Sequence, residues 1–210
     1  MFSTSSNIWS FFAALISLFD EHTKDGRVIL PLLVTVDKLL SHGCFDCLLE
    51  DQRSDFPQQL VSRIRKESSK CSDMKRLLAI IPVSLGLLHS NDLDLVHKTI
   101  LPFVMRLLAH RYPRIRRCTA EQLYLKLIEG DLTLPKSDQL EEATNLLSEV
   151  FWDRELSSPG NVRDSRNQVA DLLGIHLSEK DRAGPIKKAT KKSVVDEFAS
   201  YQSLVETAGR

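Results

Sequence analysis

The chain has 210 residues, 42% hydrophobic and 27% charged, with 28 Lys+Arg against 28 Asp+Glu. This composition suits a globular protein of one large or two small domains with a real core. The balance of charge excludes the broad basic field that nucleic acid or an acidic membrane surface would require, so any charge recognition must be local.

Residues 8–19 form an apolar run that no Lys or Arg precedes and that Asp20-Glu21 close at once. The run is too short to cross a bilayer, and it predicts a buried helix over residues 8–21 of a larger array rather than a leader. Lys24-Asp25-Gly26 ends that helix, and a second over residues 28–42 carries Pro31 in its first turn, where the missing amide had no intrahelical partner. Gly43 stops it. A short amphipathic piece over residues 45–50 leads through polar residues to a helix over 56–67 with one basic side. Asp73 caps the next, over 74–89, in which Pro82 predicts a kink or break near Ile81.

Asn91-Asp92 supply a turn and an N-cap for a helix over 93–110, bent at Pro102. Its apolar residues Leu101, Val104, Leu107 and Leu108 recur at three- and four-residue spacing; the pattern breaks at Tyr112-Pro113. It then resumes with Ile115, Cys118, Thr119, Gln122, Leu123, Leu125 and Leu127. A charged loop over 130–136 precedes a helix over 138–153, and Ser157-Ser158-Pro159-Gly160 separate it from a last helix ending at Gly174. After Ser178 the composition changes to GPIKKATKKS, which predicts a basic, disordered tail over 178–210. Its paired lysines, Lys187-Lys188 and Lys191-Lys192, are expected to be solubilising.

Alternation of apolar and polar residues is missing from the sequence and its glycines mark helix ends, so the chain is expected to be all-α. Residues 100–128 write two amphipathic helices around one short turn with arginine on the turn, the grammar of a HEAT-type repeat. One helix pair cannot bury both of its faces and must stack on neighbours. The fold expected over residues 1–177 is therefore a HEAT/armadillo-like α-solenoid of divergent antiparallel helix pairs. Such an array offers a binding surface rather than a catalytic cleft.

The sharpest charge feature is the corner formed by Arg106, His110, Arg111, Arg114, Arg116 and Arg117, with no acid among them. Arg116 is expected to bond loop carbonyls and an acid of the adjoining repeat. Arg106, Arg111, Tyr112, Arg114 and Arg117 are the candidate partner-binding residues, because forked guanidinium groups match carboxylates and phosphates. Tyr112 is the lone aromatic there, so no stacking platform for nucleic acid is visible.

Glu129, Asp131, Asp138, Glu141, Glu142, Glu149, Asp153 and Glu155 read as a solvated face or as partners for those arginines. Cys44, Cys47, Cys71 and Cys118 lie in or beside apolar runs and are expected to be reduced and largely buried. The Cys44-Phe45-Asp46-Cys47 motif lacks the second ligand pair that zinc requires. His89 and His110 are expected at helix ends, as cations that suit the dipole. With no glycine-rich phosphate loop, nucleophile elbow or Ser, His and acid set, neither an enzyme, a cofactor nor a metal is expected.

The segments LLAHRYPRIRRCTAEQLYLKLIEGD and LLSEVFWDRELSSPGNVRDSRNQVADLLGI resemble the C-terminal region of the tubulin-folding cofactor D family. The family's H-[RK]-[FY]-P-x-[IV]-R corner falls on residues 110–116, its T-A-[ES]-Q-[LV]-Y on 119–124, and its W-D-x-[ED]-[LV] on 152–156. Its R-x-x-R-N-x-[VL]-x-D-L-L-G falls on 163–174, and ILPLLVTVDKLLSHGCFD at 29–46 looks like the same family. Together these cover roughly residues 8–175.

The resemblance implies a non-enzymatic piece of a longer solenoid that captures β-tubulin and joins it to α-tubulin held by cofactor E. Cofactor C then enters and the assembly stimulates GTP hydrolysis by tubulin. An ADP-ribosylation-factor-like small GTPase is a further implied partner, and the implied location is the cytoplasm and the microtubule cytoskeleton. Neither a nucleic acid nor a transmembrane segment is expected. The alternative is a generic HEAT scaffold for protein partners in trafficking or transport.

Overall fold

The computed structural model describes residues 3–52, 54–130, 137–154 and 162–183. Every regular element among them is helical. The helices are α1 (Ser3–Glu21), α2 (Gly26–Ser41), α3 (Asp46–Glu50), α4 (Phe56–Ser68), α5 (Met74–Gly86), α6 (Leu93–Leu95), α7 (Leu101–Leu108), α8 (Pro113–Glu129), α9 (Ser137–Glu149) and α10 (Val162–Leu172). They belong to one compact unit, Met1–His176.

Local chemistry sets most of the ends. Asp25 accepts the Arg27 N–H, Asp73 those of Lys75 and Arg76, and Asp92 that of Leu95, so each satisfies amides left open at a helix start. Gly43 and Gly174, at φ +69° and +66°, end α2 and α10 in the left-handed region. At each, the following residue's N–H reaches back to a carbonyl of the last turn: Cys44 to Leu39 at 2.9 Å and Ile175 to Ala170 at 2.7 Å.

The two prolines at 82 and 102 are accommodated in different ways. α5 continues through Pro82 without a break, and only after Gly86 does the chain tighten into a 3₁₀ turn, Leu87–His89. At Pro102, which cannot donate an amide to the preceding turn, the helix instead widens into a π turn over Val96–Ile100, closed by the Leu101 N–H on the Val96 carbonyl. The buried residues follow this widening: Leu95 and Val96 are succeeded by Ile100 and Leu101, a five-residue step, and then by Val104, Met105 and Leu108.

Two rows of helices result. In one, α2 packs on α5, α5 on α8 and α8 on α9; in the other, α1 packs on α4, and α7 on α10. α4 lies against α5, α7 against α8 and α9 against α10, links between rows that join helices adjacent in sequence, and α5 also meets α7. The core between the rows is aliphatic, with Ile29, Leu33, Ile64, Leu77, Ile80, Ile81, Val104, Ile115, Leu123 and Val169 fully enclosed. Each such side chain contributes roughly 1.5–3 kcal/mol relative to exposure.

α1 is half-buried rather than wholly buried. Phe12, Leu15, Ile16 and Phe19 face inward, while Phe11 and Leu18 remain 48% and 39% exposed. Phe12 and Phe45 both pack against Phe56, at centroid distances of 4.7 and 4.8 Å, joining α1, the turn after α2, and α4. On α8 the predicted apolar face is likewise trimmed: Leu125 is 56% exposed, because the buried stripe there runs through Ile115, Thr119, Ala120, Leu123 and Leu127.

One carboxylate ties three segments together. Glu67 on α4 is buried, accepts the Lys24 amide of the α1–α2 turn at 2.9 and 3.2 Å, and receives Nη1 of Arg76 on α5 at 3.2 Å. Lys24 stands at φ +66°, which aims its N–H at this acceptor. Arg76 also donates Nε–H to the Cys71 sulfur.

A second compact unit, Leu177–Arg210, is described only through its first residues, where α11 (Glu179–Ala183) is capped by the Ser178 hydroxyl accepting the Asp181 amide. A helical turn thus stands where the tail was expected to begin; residues 184–210 lie outside the described residues.

Removing Glu67 strands the Arg76 charge and the Lys24 amide. Glu67→Ala is expected to lower the unfolding free energy by about 3–5 kcal/mol, measured by urea denaturation, whereas Lys75→Ala on the exposed side of α5 should change it by less than about 0.5 kcal/mol.

Candidate functional site

The arginine corner lies where α7 ends and α8 begins, and its residues separate into three environments. Arg116 is only 2% exposed. Its Nη1 donates to the carbonyls of His110 (2.8 Å) and Arg111 (3.2 Å), its Nε to Trp152 (2.7 Å) and its Nη2 to Arg154 (2.6 Å). The expected loop carbonyls are therefore its partners, including two from the segment after α9. Trp152 is itself buried and donates its indole N–H to the Leu147 carbonyl, so that segment is fastened from both ends.

Arg111 lies over the ring of its neighbour Tyr112, 4.4 Å from the centroid, and donates to the Tyr112 hydroxyl at 2.6 Å. Tyr112 is buried, so this end of the corner presents the guanidinium rather than the phenol. Arg114 is exposed on the first turn of α8; Arg117 is exposed and bonded to Glu121 at 2.8 Å, four residues on. Arg106 is exposed on α7 and belongs to a different surface, the groove against α4. Of the five candidates, Arg111 and Tyr112 are in contact, Arg114 is exposed on the first turn of α8, Arg117 pairs with Glu121 along α8, and Arg106 lines the groove against α4 together with His110.

His110 departs from its expected role as a cation at a helix end. Burial, with Arg111 and Arg116 beside it, holds its pKa down to about 4, so the ring is neutral at pH 7. Nδ1 accepts the Tyr112 amide at 3.2 Å, which leaves the proton on Nε2. His89 at the end of the 3₁₀ turn meets Lys126 of α8 at 3.5 Å.

The acids Asp138, Glu141, Glu142, Glu149 and Asp153 are exposed, and Glu129 pairs with Lys126 at 2.6 Å; Asp131 and Glu155 lie outside the described residues. The cysteine expectation holds only in part. Cys71 is buried and Cys118 half-buried, but Cys44 and Cys47 are exposed, because the Gly43 turn and the first turn of α3 direct them away from Phe45, Leu48 and Leu49. All four are free thiols, and burial keeps that of Cys118 protonated by raising its pKa. Among the described residues no group of three His, Cys, Asp or Glu side chains is placed to hold a metal ion.

Arg166 on α10 is, after Arg76 and Arg116, another buried arginine, 1% exposed, whose Nη1 points at the Met105 carbonyl near the end of α7 at 3.4 Å. Its signals in the sequence are its place as the second arginine of the R-x-x-R-N motif at 163–174 and its position between Val162 and Val169, where α10 requires an inward residue.

With this geometry in place, residues 2–76 match the family model described as tubulin folding cofactor D C terminal. Over residues 2–76 the chain carries a tubulin folding cofactor D C-terminal region. The matched stretch contains α1, α2, α3, α4 and the start of α5. It includes the family-like run at 29–46, while the motifs at 110–116, 119–124, 152–156 and 163–174 fall beyond it. No solved structure matches the chain. Among the described residues no helix is long and apolar enough to cross a membrane.

A lysine cannot fork toward four carbonyls, so Arg116→Lys is expected to cost about 3 kcal/mol in chemical denaturation. His110 titrates at about 4 folded and near 6.5 unfolded, so the unfolded chain binds the extra proton first as pH falls. Stability should drop from pH 6.5 toward 4, by up to about 3 kcal/mol. In His110→Gln this component should vanish, so that the melting temperature of the parent chain falls relative to that of the variant as pH drops from 6.5 toward 4.

Proposed function

We propose that this chain is a non-enzymatic segment of a tubulin-folding cofactor, which holds β-tubulin while it is joined to α-tubulin. The match of residues 2–76 to the tubulin folding cofactor D C-terminal family carries this reading. In it, the two rows of helices are a stretch of HEAT/armadillo-like array whose surface, not a cleft, contacts the client. Favouring the assembled state over free subunits is then a matter of differential binding. Cofactors C and E would complete the assembly that stimulates GTP hydrolysis by tubulin. An ADP-ribosylation-factor-like small GTPase would be a further partner, in the cytoplasm and at the microtubule cytoskeleton.

Within the arginine corner, Arg111 and Arg114 are the residues best placed to meet a carboxylate of the client. Arg114 is exposed, and Arg111 is held in place over Tyr112, so little side-chain entropy is lost on contact.

Immobilised full-length chain is expected to retain β-tubulin in a pull-down, and Arg111→Glu with Arg114→Glu should weaken retention by about tenfold or more. Unchanged capture by the double variant would remove the corner from the contact. Failure of the parent chain to retain tubulin would leave the generic scaffold in its place.

A further inference from the structure

The net neutrality of the chain hides a separation of charge between the two edges of the array. The α1–α2, α4–α5 and α7–α8 turns each join one row to the other, and they follow one another along one edge. The Lys24 amide of the first turn meets Glu67, just before the second, at 2.9 Å, and a Cβ on Gly26 would stand 3.3 Å from the Asp73 carboxylate. Arg111 of the third turn donates to the Cys71 carbonyl of the second at 3.5 Å. On the opposite edge Asn91 bonds the Leu49 and Glu50 carbonyls, and the exposed charges there include Asp46, Glu50, Asp51, Asp55 and Asp94.

The turn edge carries Lys24, Lys70, Lys75 and Arg114, all exposed, and among the described residues none of these four side chains has an ion pair or a hydrogen bond. The carboxylates nearby are committed. Asp25 and Asp73 accept helix-start amides, Asp20 holds Arg63 at 2.9 Å, Glu21 accepts the Ser17 hydroxyl, and Glu67 is buried. Two of the lysines are also held in an unfavourable backbone conformation. Lys24 and Lys70 stand at φ +66° and +56°, each in the turn between the helices of one pair, and among the described residues they are the non-glycines with positive φ. Glycine enters this region without the steric cost that a Cβ brings, as it does at Gly43, Gly130 and Gly174. A lysine in both turns therefore keeps a charge where the backbone alone would favour glycine.

We infer that this edge, from the α1–α2 turn to the start of α8, is a docking surface for an acidic, extended segment of a partner protein, whose carboxylates meet Lys24, Lys70, Lys75 and Arg114. Packed helices lie about 8–10 Å apart, a distance that about three residues of extended chain span at about 3.3 Å each. A segment with an acid at every third position would therefore meet successive turns. Nucleic acid fits less well, because Tyr112, the aromatic residue of the corner, is buried and offers no face to a base. The inference extends the contact proposed for Arg114 to the two preceding turns; it rests on that reading for Arg114 alone, and the three lysines carry it independently.

The test is fluorescence anisotropy of the full-length chain with a labelled peptide of glutamate and glycine, in which glutamate stands at every third residue. This peptide should bind, and its glutamine counterpart should bind about tenfold more weakly or worse. Lys24→Gly with Lys70→Gly should weaken the glutamate peptide at least about threefold. The melting temperature of that variant should stay the same or rise, because glycine relieves both backbones. If it melts lower, Lys24→Gln with Lys70→Gln takes its place. Lys24→Glu with Lys70→Glu should weaken the peptide about tenfold, whereas Lys38→Glu with Lys98→Glu, the same change of net charge on exposed residues outside this edge, should leave it unaltered. Each variant keeps Arg111 and Arg114, so failure of the parent chain to retain tubulin leaves the peptide result standing, and failure of the peptide leaves the tubulin result standing. Equal affinity for the two peptides, full binding by the variants of Lys24 and Lys70, an equal loss in the Lys38 and Lys98 pair, or tighter binding of single-stranded oligothymidine or of phosphatidylserine vesicles would each overturn the proposal.

Discussion

The later half of the first compact unit depends on one buried guanidinium. Arg116 projects from α8 into the turn that it leaves behind and also reaches the chain after α9, donating to carbonyls 5, 6, 36 and 38 residues away. A buried arginine is expensive unless its donors are met, and here backbone oxygens meet them. The same oxygens would otherwise be carbonyls of irregular chain shielded from water, so each side satisfies the other. The short motif around residue 113 and the tryptophan motif near residue 152 are therefore two halves of one contact. The tryptophan donates its indole N–H to the Leu147 carbonyl, and the arginine holds the tryptophan's own carbonyl.

Glu67 plays the corresponding part at the other end of the unit, with the roles of charge reversed. A carboxylate collects an amide from the α1–α2 turn and a guanidinium from α5, in place of a guanidinium collecting carbonyls. Both devices join segments that aliphatic packing alone would leave free to slide. Apolar faces specify that helices pack, whereas forked polar contacts specify which turn meets which.

Much of this was legible in the sequence wherever the physics is local. Asp73 and Asp92 act on amides two or three residues away, Gly43 supplies the left-handed conformation that ends α2, and the spacing of Leu101, Val104, Leu107 and Leu108 names the buried side of α7. What was hidden depends on contacts far apart in the chain. Nothing near Glu67 announces Lys24, 43 residues earlier. The neutrality of His110 follows from burial beside two arginines, which its position at a helix end would not suggest. The groove was hidden for another reason: a gap between two helices leaves no mark on the periodicity of either. The partners of the corner's arginines were hidden too: Arg106 lines the groove against α4, and Arg117 pairs with Glu121 along α8.

The π turn before Pro102 gives the helix that contains it an angular offset. Each residue of an α-helix advances the direction of its side chain by about 100°, so one additional residue within a turn is a correction of phase. Upstream of it, Leu95 and Val96 are seated; downstream, Leu101, Val104 and Leu108 are seated on the same side. Removing a single residue from Val96–Ile100 would not merely shorten the helix. It would turn one half against the other, like a key cut with its teeth on two faces, so that either the apolar stripe or the charged edge of α7 had to point the wrong way.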